Sequence, residues 1–185
     1  LDAVDIPIPV EPKRADQIAE SIREKNLAGV NLTVPFKERV LPLLDEVSPE
    51  ARRAGAVNVV VNTNGKLAGH NTDGDGFVRA LLAENGPAPT GLNAVLLGAG
   101  GAARAIASSL IARGARSITI LNRTPQRAER AIESLTEHHP GARMDPGELT
   151  PSAFADAARD ANLVVNCTAG TAGEIIAHFD PTALP

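Results

Sequence analysis

Tryptophan and tyrosine are absent from the 185 residues, and cysteine occurs once, at Cys167. A single cysteine excludes an internal disulfide and fits a reducing compartment, so a cytoplasmic location is expected. No apolar stretch approaches the roughly 18 residues that mark a membrane span. Basic excess is also lacking: 22 acidic residues against 18 Lys and Arg leave a net charge of −4 and a pI near 5.6. That balance speaks against nucleic acid or an anionic membrane as partner. The opening stretch LDAVDIPIPV has no basic region ahead of an apolar run and does not read as a signal peptide. With no Trp or Tyr and a first residue Leu1 in place of Met, the chain is expected to be part of a longer polypeptide, with segments absent at its ends or within it.

What remains is ordinary globular material, 43% hydrophobic and 22% charged, enough for one domain or two small ones. Apolar runs alternate with amphipathic stretches. A strand is expected over residues 3–10 (AVDIPIPV). A helix follows from Pro12, with Ala15, Ile18, Ala19 and Ile22 on one face. GVNLTV (29–34) reads as a buried strand that Pro35 stops, and FKERVLPLLDEV (36–47) as a short helix broken at Pro42. PEARRAG is a helical turn ended by Gly55. AVNVVVNT and KLAGHNT flank Asn64-Gly65, a strong hairpin signal. DGFVRALLAEN places Phe77, Val78, Leu81 and Leu82 at helical spacing.

GPAPTG, rich in Pro and Gly, is the best linker candidate, dividing residues 1–85 from 93–185 across a linker at 86–92. Beyond it, NAVLLG, RSITILN, a short ARM and NLVVNCT read as strands. GAARAIASSLIARG, PQRAERAIESLTEHH and PSAFADAAR read as the helices between them. Continuous apolar strands alternating with helices imply an α/β fold with a parallel sheet covered on both faces.

VLLGAGGAARAIA carries Gly98, Gly100 and Ala103 as G-x-G-x-x-A after an apolar strand and at the start of a helix, the context a dinucleotide loop needs. Gly98 permits the tight turn, Gly100 lets a pyrophosphate approach, and Ala103 lets the helix pack close to the strand. The loop Gly98, Ala99, Gly100, Gly101, Ala102 is therefore expected to hold the phosphates on free N–H groups. The next strand ends in Asn122, Arg123 and Thr124, where an NAD site would carry a carboxylate for the ribose hydroxyls. Arg123, with Arg127 one turn on, suits a 2′-phosphate, so NADP is the expected cofactor. Thr124 also reads as the cap of a helix beginning at Pro125. Cys167 reads as a buried, inert thiol.

Three polar clusters sit at strand ends in the first half: Asn31, Thr33 and Lys37 in NLTVPFK; Asn58 in AGAVN; Asn71, Thr72 and Asp73 in NTDG. Ligands in open sheets bind at strand ends, so the three can share one cleft. Each residue also has a plainer reading: Lys37 as a solvated charge, Asn58 as a strand-edge residue, Asp73 as a helix cap.

The ordered set NLTVPFKE, AGAVN, NTDG, GAGGAAR and NRT resembles the shikimate dehydrogenase family, over about residues 28–168. The resemblance implies a substrate-binding half before the linker and a Rossmann half after it. It implies a catalytic pair Lys37 and Asp73, substrate contacts at Asn31, Thr33 and Asn58, and an NADP-selecting motif at Asn122, Arg123, Thr124 and Arg127. The implied reaction is reversible NADP-dependent reduction of 3-dehydroshikimate to shikimate, a step toward the aromatic amino acids, by a monomer or homodimer. Lys37 would be the general acid in reduction, and Asp73 would orient it and accept a substrate hydroxyl. Quinate as substrate, or a non-catalytic NADP sensor, are the alternatives. The family's Ser-x-Ser motif should precede residue 1, and its C-terminal Gln should follow Pro185. AGTAGE (169–174) stands where a longer Gly-Met loop is usual, so a skipped segment near 169–173 is expected.

Overall fold

The computed structural model describes residue 4 and residues 6–168, in two four-stranded sheets with helices packed on them. The expected irregularity near 169–173 lies outside the described residues. Among the described residues no helix is long and apolar enough to cross a membrane.

The strand expected at the start does not form. Residues 6–10 belong to no helix or strand, and Ile6 and Ile8 are 63% and 52% exposed. Pro7 and Pro9 remove two ladder donors within three residues, which outweighs the apolar content. The first helix does form, as a 3-10 stretch Pro12–Gln17 running into α1 (Ile18–Glu24), and buries the expected Ala15, Ile18, Ala19 and Ile22.

The first sheet contains β1 (Gly29–Asn31), β2 (Glu46–Val47), β3 (Val59–Thr63) and β4 (Lys66–His70), in the spatial order β1-β3-β4-β2. It is mixed: β2 runs parallel to β4, and the other pairs are antiparallel. Asn64 and Gly65, at φ 54° and 86°, make the expected two-residue hairpin turn. Two readings need correction. The strand before Pro35 ends at Asn31 rather than Val34, and Val34 is 70% exposed. The chain there bends into a turn in which Phe36 N donates to Thr33 O at 2.9 Å, so it leaves the sheet before Pro35. The stretch after Pro35 divides into α2 (Phe36–Arg39), a 3-10 turn and β2, which the apolar spacing had not revealed. Phe36, Val40, Val57, Val60 and Leu67 form the core beneath this sheet with α1. The helical turn α3 (Pro49–Ala54) ends at Gly55, φ 57°, as read.

The second sheet is wholly parallel: β5 (Asn93–Leu97), β6 (Ser117–Asn122), β7 (Arg143–Glu148) and β8 (Leu163–Asn166), ordered β7-β6-β5-β8. Along β5, Leu96 faces α5 (Gly101–Ala112) and α6 (Pro125–His138), while Val95 and Leu97 face α7 (Pro151–Ala158). Burial on both faces is why the strand is apolar without alternation. Each fully buried Leu or Ile here is worth about 1.5–3 kcal/mol. β7 is longer than the short ARM expected: as an edge strand it continues through Pro146 and Gly147, because an edge tolerates a missing donor. The order places the point where strand direction of travel reverses between β5 and β8, directly below the glycine loop, where open α/β sheets bind ligands.

Between the sheets, α4 (Asp73–Ala83) lies on α5. A Cβ at Gly74 would overlap the Ala105 carbonyl oxygen, so the two helix backbones touch. Val78 joins the core that holds Leu96 and Leu110, whereas Leu82, expected on the same apolar face, is 48% exposed.

Candidate active site

α4 starts one residue after Thr72, and its first residue is Asp73. The carboxylate has two occupied oxygens. Lys37 Nζ lies 2.8 Å from Oδ2, and Asn58 Nδ2 donates to Oδ1 at 2.7 Å. The lysine and aspartate side chains keep 20% and 23% of their surface exposed, enough for a ligand to reach them. Asn58 also donates to Thr72 Oγ1 at 2.9 Å and accepts from Thr72 N at 2.9 Å. Behind them Asn71, 8% exposed, donates to Ala56 O and accepts from Asp73 N. Val57 N donates to the Lys37 carbonyl at 2.7 Å. Three segments far apart in the chain are thus knitted together at the end of the β3–β4 hairpin.

Lys37, Asn58 and Asp73 are thus hydrogen-bonded into one cluster rather than standing singly on the surface. Asn31, exposed at the end of β1, pairs in register with Val59, next to Asn58. Thr33 is exposed in the following turn. Neither side chain hydrogen-bonds to the Lys37–Asp73 cluster among the described residues.

The glycines of the second half divide by role. Gly98, at φ +105°, donates its N–H to Leu121 O at 2.7 Å, and a Cβ there would lie 3.1 Å from the Cys167 carbonyl oxygen. Gly100 is extended (φ −84°, ψ −176°) at the N-cap of α5, and a Cβ there would meet nothing within 4 Å. No protein atom requires glycine at that position, which leaves the space for a ligand. Gly101 is different: its Cβ would lie 2.5 Å from the Ala56 Cβ, so it serves the contact between the two halves. Ala99 and Ala103 are buried, and Ala102 is half-buried.

At the end of β6, Asn122 Nδ2 donates to Thr124 O at 2.9 Å and shapes the turn into α6. Thr124 occupies the N-cap position, but its side chain makes no capping bond, contrary to the expectation from sequence. Arg123 and Arg127 are exposed, and neither side chain has an ion-pair or hydrogen-bond partner among the described residues. β6 runs parallel beside β5, so this cationic turn lies at the same carboxyl end of the sheet as the glycine loop.

Cys167 is half-buried, and burial pushes its thiol up to about 12, which agrees with an inert residue. A cavity of about 240 Å³ lies between α3, α4 and α5, lined by Glu50, Arg53, Asn71, Asp75 and Arg113 among others. Its charges are paired internally, Asp75 with Arg113 and Arg53 with Glu50, so it is a seam between helices rather than a reactive site. The Ser109 hydroxyl, with Arg113, holds the Asp75 carboxyl below the usual range against the opposing effect of burial.

This combination has a counterpart among known proteins. A family profile described as the shikimate dehydrogenase substrate binding domain matches residues 1–60, and one described as shikimate / quinate 5-dehydrogenase matches residues 81–178. The chain belongs to the shikimate dehydrogenase family. It is 52% identical over 132 residues to a shikimate dehydrogenase (NADP(+)) of Desulforamulus reducens, covering 71% of this chain and 45% of that one. The crystal structure of shikimate 5-dehydrogenase from Thermus thermophilus with NADP(H) and shikimate matches at TM-score 0.71 and 41% identity, over 86% of this chain and 54% of the other. Quinate dehydrogenase from Corynebacterium glutamicum with NAD matches at TM-score 0.72 and 31% identity, over 91% and 60%. The chain spans about half the length of the curated relatives it matches.

One pairing at this site was not read from sequence. Arg104, the last residue of GAGGAAR, reaches out of α5 to Glu38 of α2 at 2.9 Å. The sequence signal for it is slight: a cation in the first turn of a helix opposes the helix dipole.

Proposed function

We propose that this chain is the catalytic and cofactor-binding part of an NADP-dependent shikimate dehydrogenase, which interconverts 3-dehydroshikimate and shikimate. The observation that carries the reading is the Lys37–Asp73 pair, joined through α4 to the helix that follows the glycine loop. Residues 1–85 take the substrate, 86–92 link, and 93–185 take the cofactor.

NADPH, when bound, supplies the hydride that reaches the carbonyl carbon. Negative charge then grows on the carbonyl oxygen. The Lys37 ammonium stabilises that charge and passes its proton to the oxygen; in oxidation the amine takes the proton from the hydroxyl. Asp73 fixes the lysine through Oδ2 and accepts a substrate hydroxyl. Asn58, holding Oδ1 of Asp73, joins Asn31 and Thr33 in contacting the substrate. The backbone N–H groups of Gly100, Gly101 and Ala102 receive the pyrophosphate. Arg123 and Arg127, free of internal partners among the described residues, receive the 2′-phosphate.

The test is turnover of the full-length protein with shikimate or quinate, each with NADP or NAD. The expected result is fastest turnover of shikimate with NADP. Preference for quinate would move the assignment to the family's other branch. Tight NADP binding without turnover of either substrate would make the protein a sensor and overturn the proposal.

A further inference from the structure

Arg104 stands in the first turns of α5, just past the glycine loop, yet its guanidinium belongs to the other half of the molecule. Nη2 donates to the Gly55 carbonyl at 3.1 Å and lies 2.9 Å from Glu38 Oε1. The side chain is 16% exposed, against 46% for Glu38. Its Nε is buried with no hydrogen-bond partner among the described residues. Gly55 closes α3 at φ +57°, and a Cβ there would lie 3.3 Å from Arg104 Cζ, so the turn is shaped to the guanidinium.

We propose that Arg104 is a positioning residue, which through Glu38 sets the place of Lys37 relative to the cofactor loop. The inference rests on the dehydrogenase reading above. Lys37 and Glu38 are adjacent on α2, a helix of four residues whose N-cap makes no side-chain bond. So short a helix has little stability of its own and takes its position from its contacts. Asp73 and Val57 anchor Lys37 from within its own half. The Glu38–Arg104 pair ties α2 directly to α5, the helix whose N-terminus ends the glycine loop. Hydride and proton must reach adjacent atoms of one carbonyl, the hydride from the cofactor side and the proton from Lys37. An error of about 1 Å between two such groups costs on the order of 10²-fold in rate.

A simple stabilising ion pair is the competing explanation, and the buried orphan Nε argues against it. A largely buried ion pair is a poor stabiliser: apolar residues of similar volume often replace both partners without loss, whereas removing one partner alone is destabilising. Rate and stability therefore separate in a variant that removes both charges.

The experiment uses the full-length protein with Arg104→Met, Glu38→Gln and the double variant. It measures kcat and KM for shikimate, NADP affinity by calorimetry, the thermal midpoint, and the isotope effect with shikimate deuterated at the reacting carbon. Each single variant should lower kcat by about ten- to a hundred-fold. The isotope effect should rise, as hydride transfer becomes limiting, while shikimate KM and NADP affinity stay near wild type; the thermal midpoint should fall in the single variants and recover in the double, with kcat still low. The double variant should be no worse than the poorer single one, because both break the same link. Glu38→Gln keeps the shape of a half-exposed side chain, so it decides the matter if Arg104→Met does not fold. Wild-type kcat in folded variants, multiplicative losses in the double, or losses that track the thermal midpoint overturn the proposal. A wild type inert toward shikimate and quinate overturns the dehydrogenase reading and this inference with it; an active wild type beside unaffected variants overturns this inference alone.

Discussion

Lys37 and Asp73, 36 positions apart in the chain, meet at 2.8 Å, and Asn58 holds the other carboxylate oxygen at 2.7 Å. The aspartate is therefore fully directed before any substrate arrives. On the proposed dehydrogenase reading, this is the preorganisation that a proton donor needs at a developing oxyanion.

If Lys37 is the proton donor proposed above, removing it should be costly in rate alone. Lys37→Ala is expected to lower turnover by the roughly 10²–10⁴-fold that general acid catalysis contributes. NADP affinity, measured by titration calorimetry, should stay near wild type, because the glycine loop and Arg123 lie on the other sheet. Lys37→Arg should not restore turnover, since a guanidinium does not give up its proton. Near-normal turnover of Lys37→Ala would return the residue to an ordinary surface charge.

Arg123 and Arg127 offer two cations beside the loop that have no ion-pair partner among the described residues. Arg123→Ala should weaken NADP by about ten- to a hundred-fold, the equivalent of a charge-assisted hydrogen bond of roughly 1.5–3 kcal/mol. NAD affinity should barely change, as it lacks the 2′-phosphate. Competition kinetics that show an intact NADP preference would remove Arg123 from the phosphate site.

Gly100 and Gly101 should respond differently to the same added methyl. Gly100→Ala enters open space, so the fold should hold while NADP and NAD weaken together. Gly101→Ala pushes against the Ala56 Cβ at 2.5 Å, so its first effect should be a lower thermal midpoint. Calorimetric scans paired with cofactor titrations separate the two. Equal thermal loss in both variants would contradict the division of roles.

His139 gives the stability a pH dependence. Burial first, then electrostatic repulsion from Arg53 and His138, lowers its imidazole from the ordinary 6.5. The Ser108 hydroxyl lies 2.8 Å from its Nε2. Because the folded value is the lower one, the unfolded chain takes up the proton first as pH falls. The contribution is complete above about pH 6.5 and is lost as pH drops through that value toward the folded one. Thermal midpoints measured from about pH 7.5 to pH 5 should fall less steeply in His139→Gln than in wild type. Parallel slopes would show that the ring is protonated equally in both states.

Local pattern determined a great deal of this protein. The second sheet, its helices and the G-x-G-x-x-A loop follow from apolar runs too uniform to be half-exposed, separated by amphipathic stretches. Asn64-Gly65 specified its hairpin through the positive φ it accepts. The failures are equally physical. Residues 6–10 have strand composition, but prolines deny them a ladder. The edge position of β7, invisible in its sequence, let it run through Pro146. Thr124 holds a cap position without making the bond, because residue type alone does not orient a hydroxyl. The site motifs could be picked out one by one, and resemblance supplied their roles, but their distances could not be read. Tertiary structure alone decided that Lys37 and Asn58 divide the two carboxylate oxygens of Asp73 between them, and that Arg104 spans both halves to reach Glu38. Periodicity reports which face of an element is buried; it carries no information about which distant side chain lies against it, since that depends on how whole elements pack.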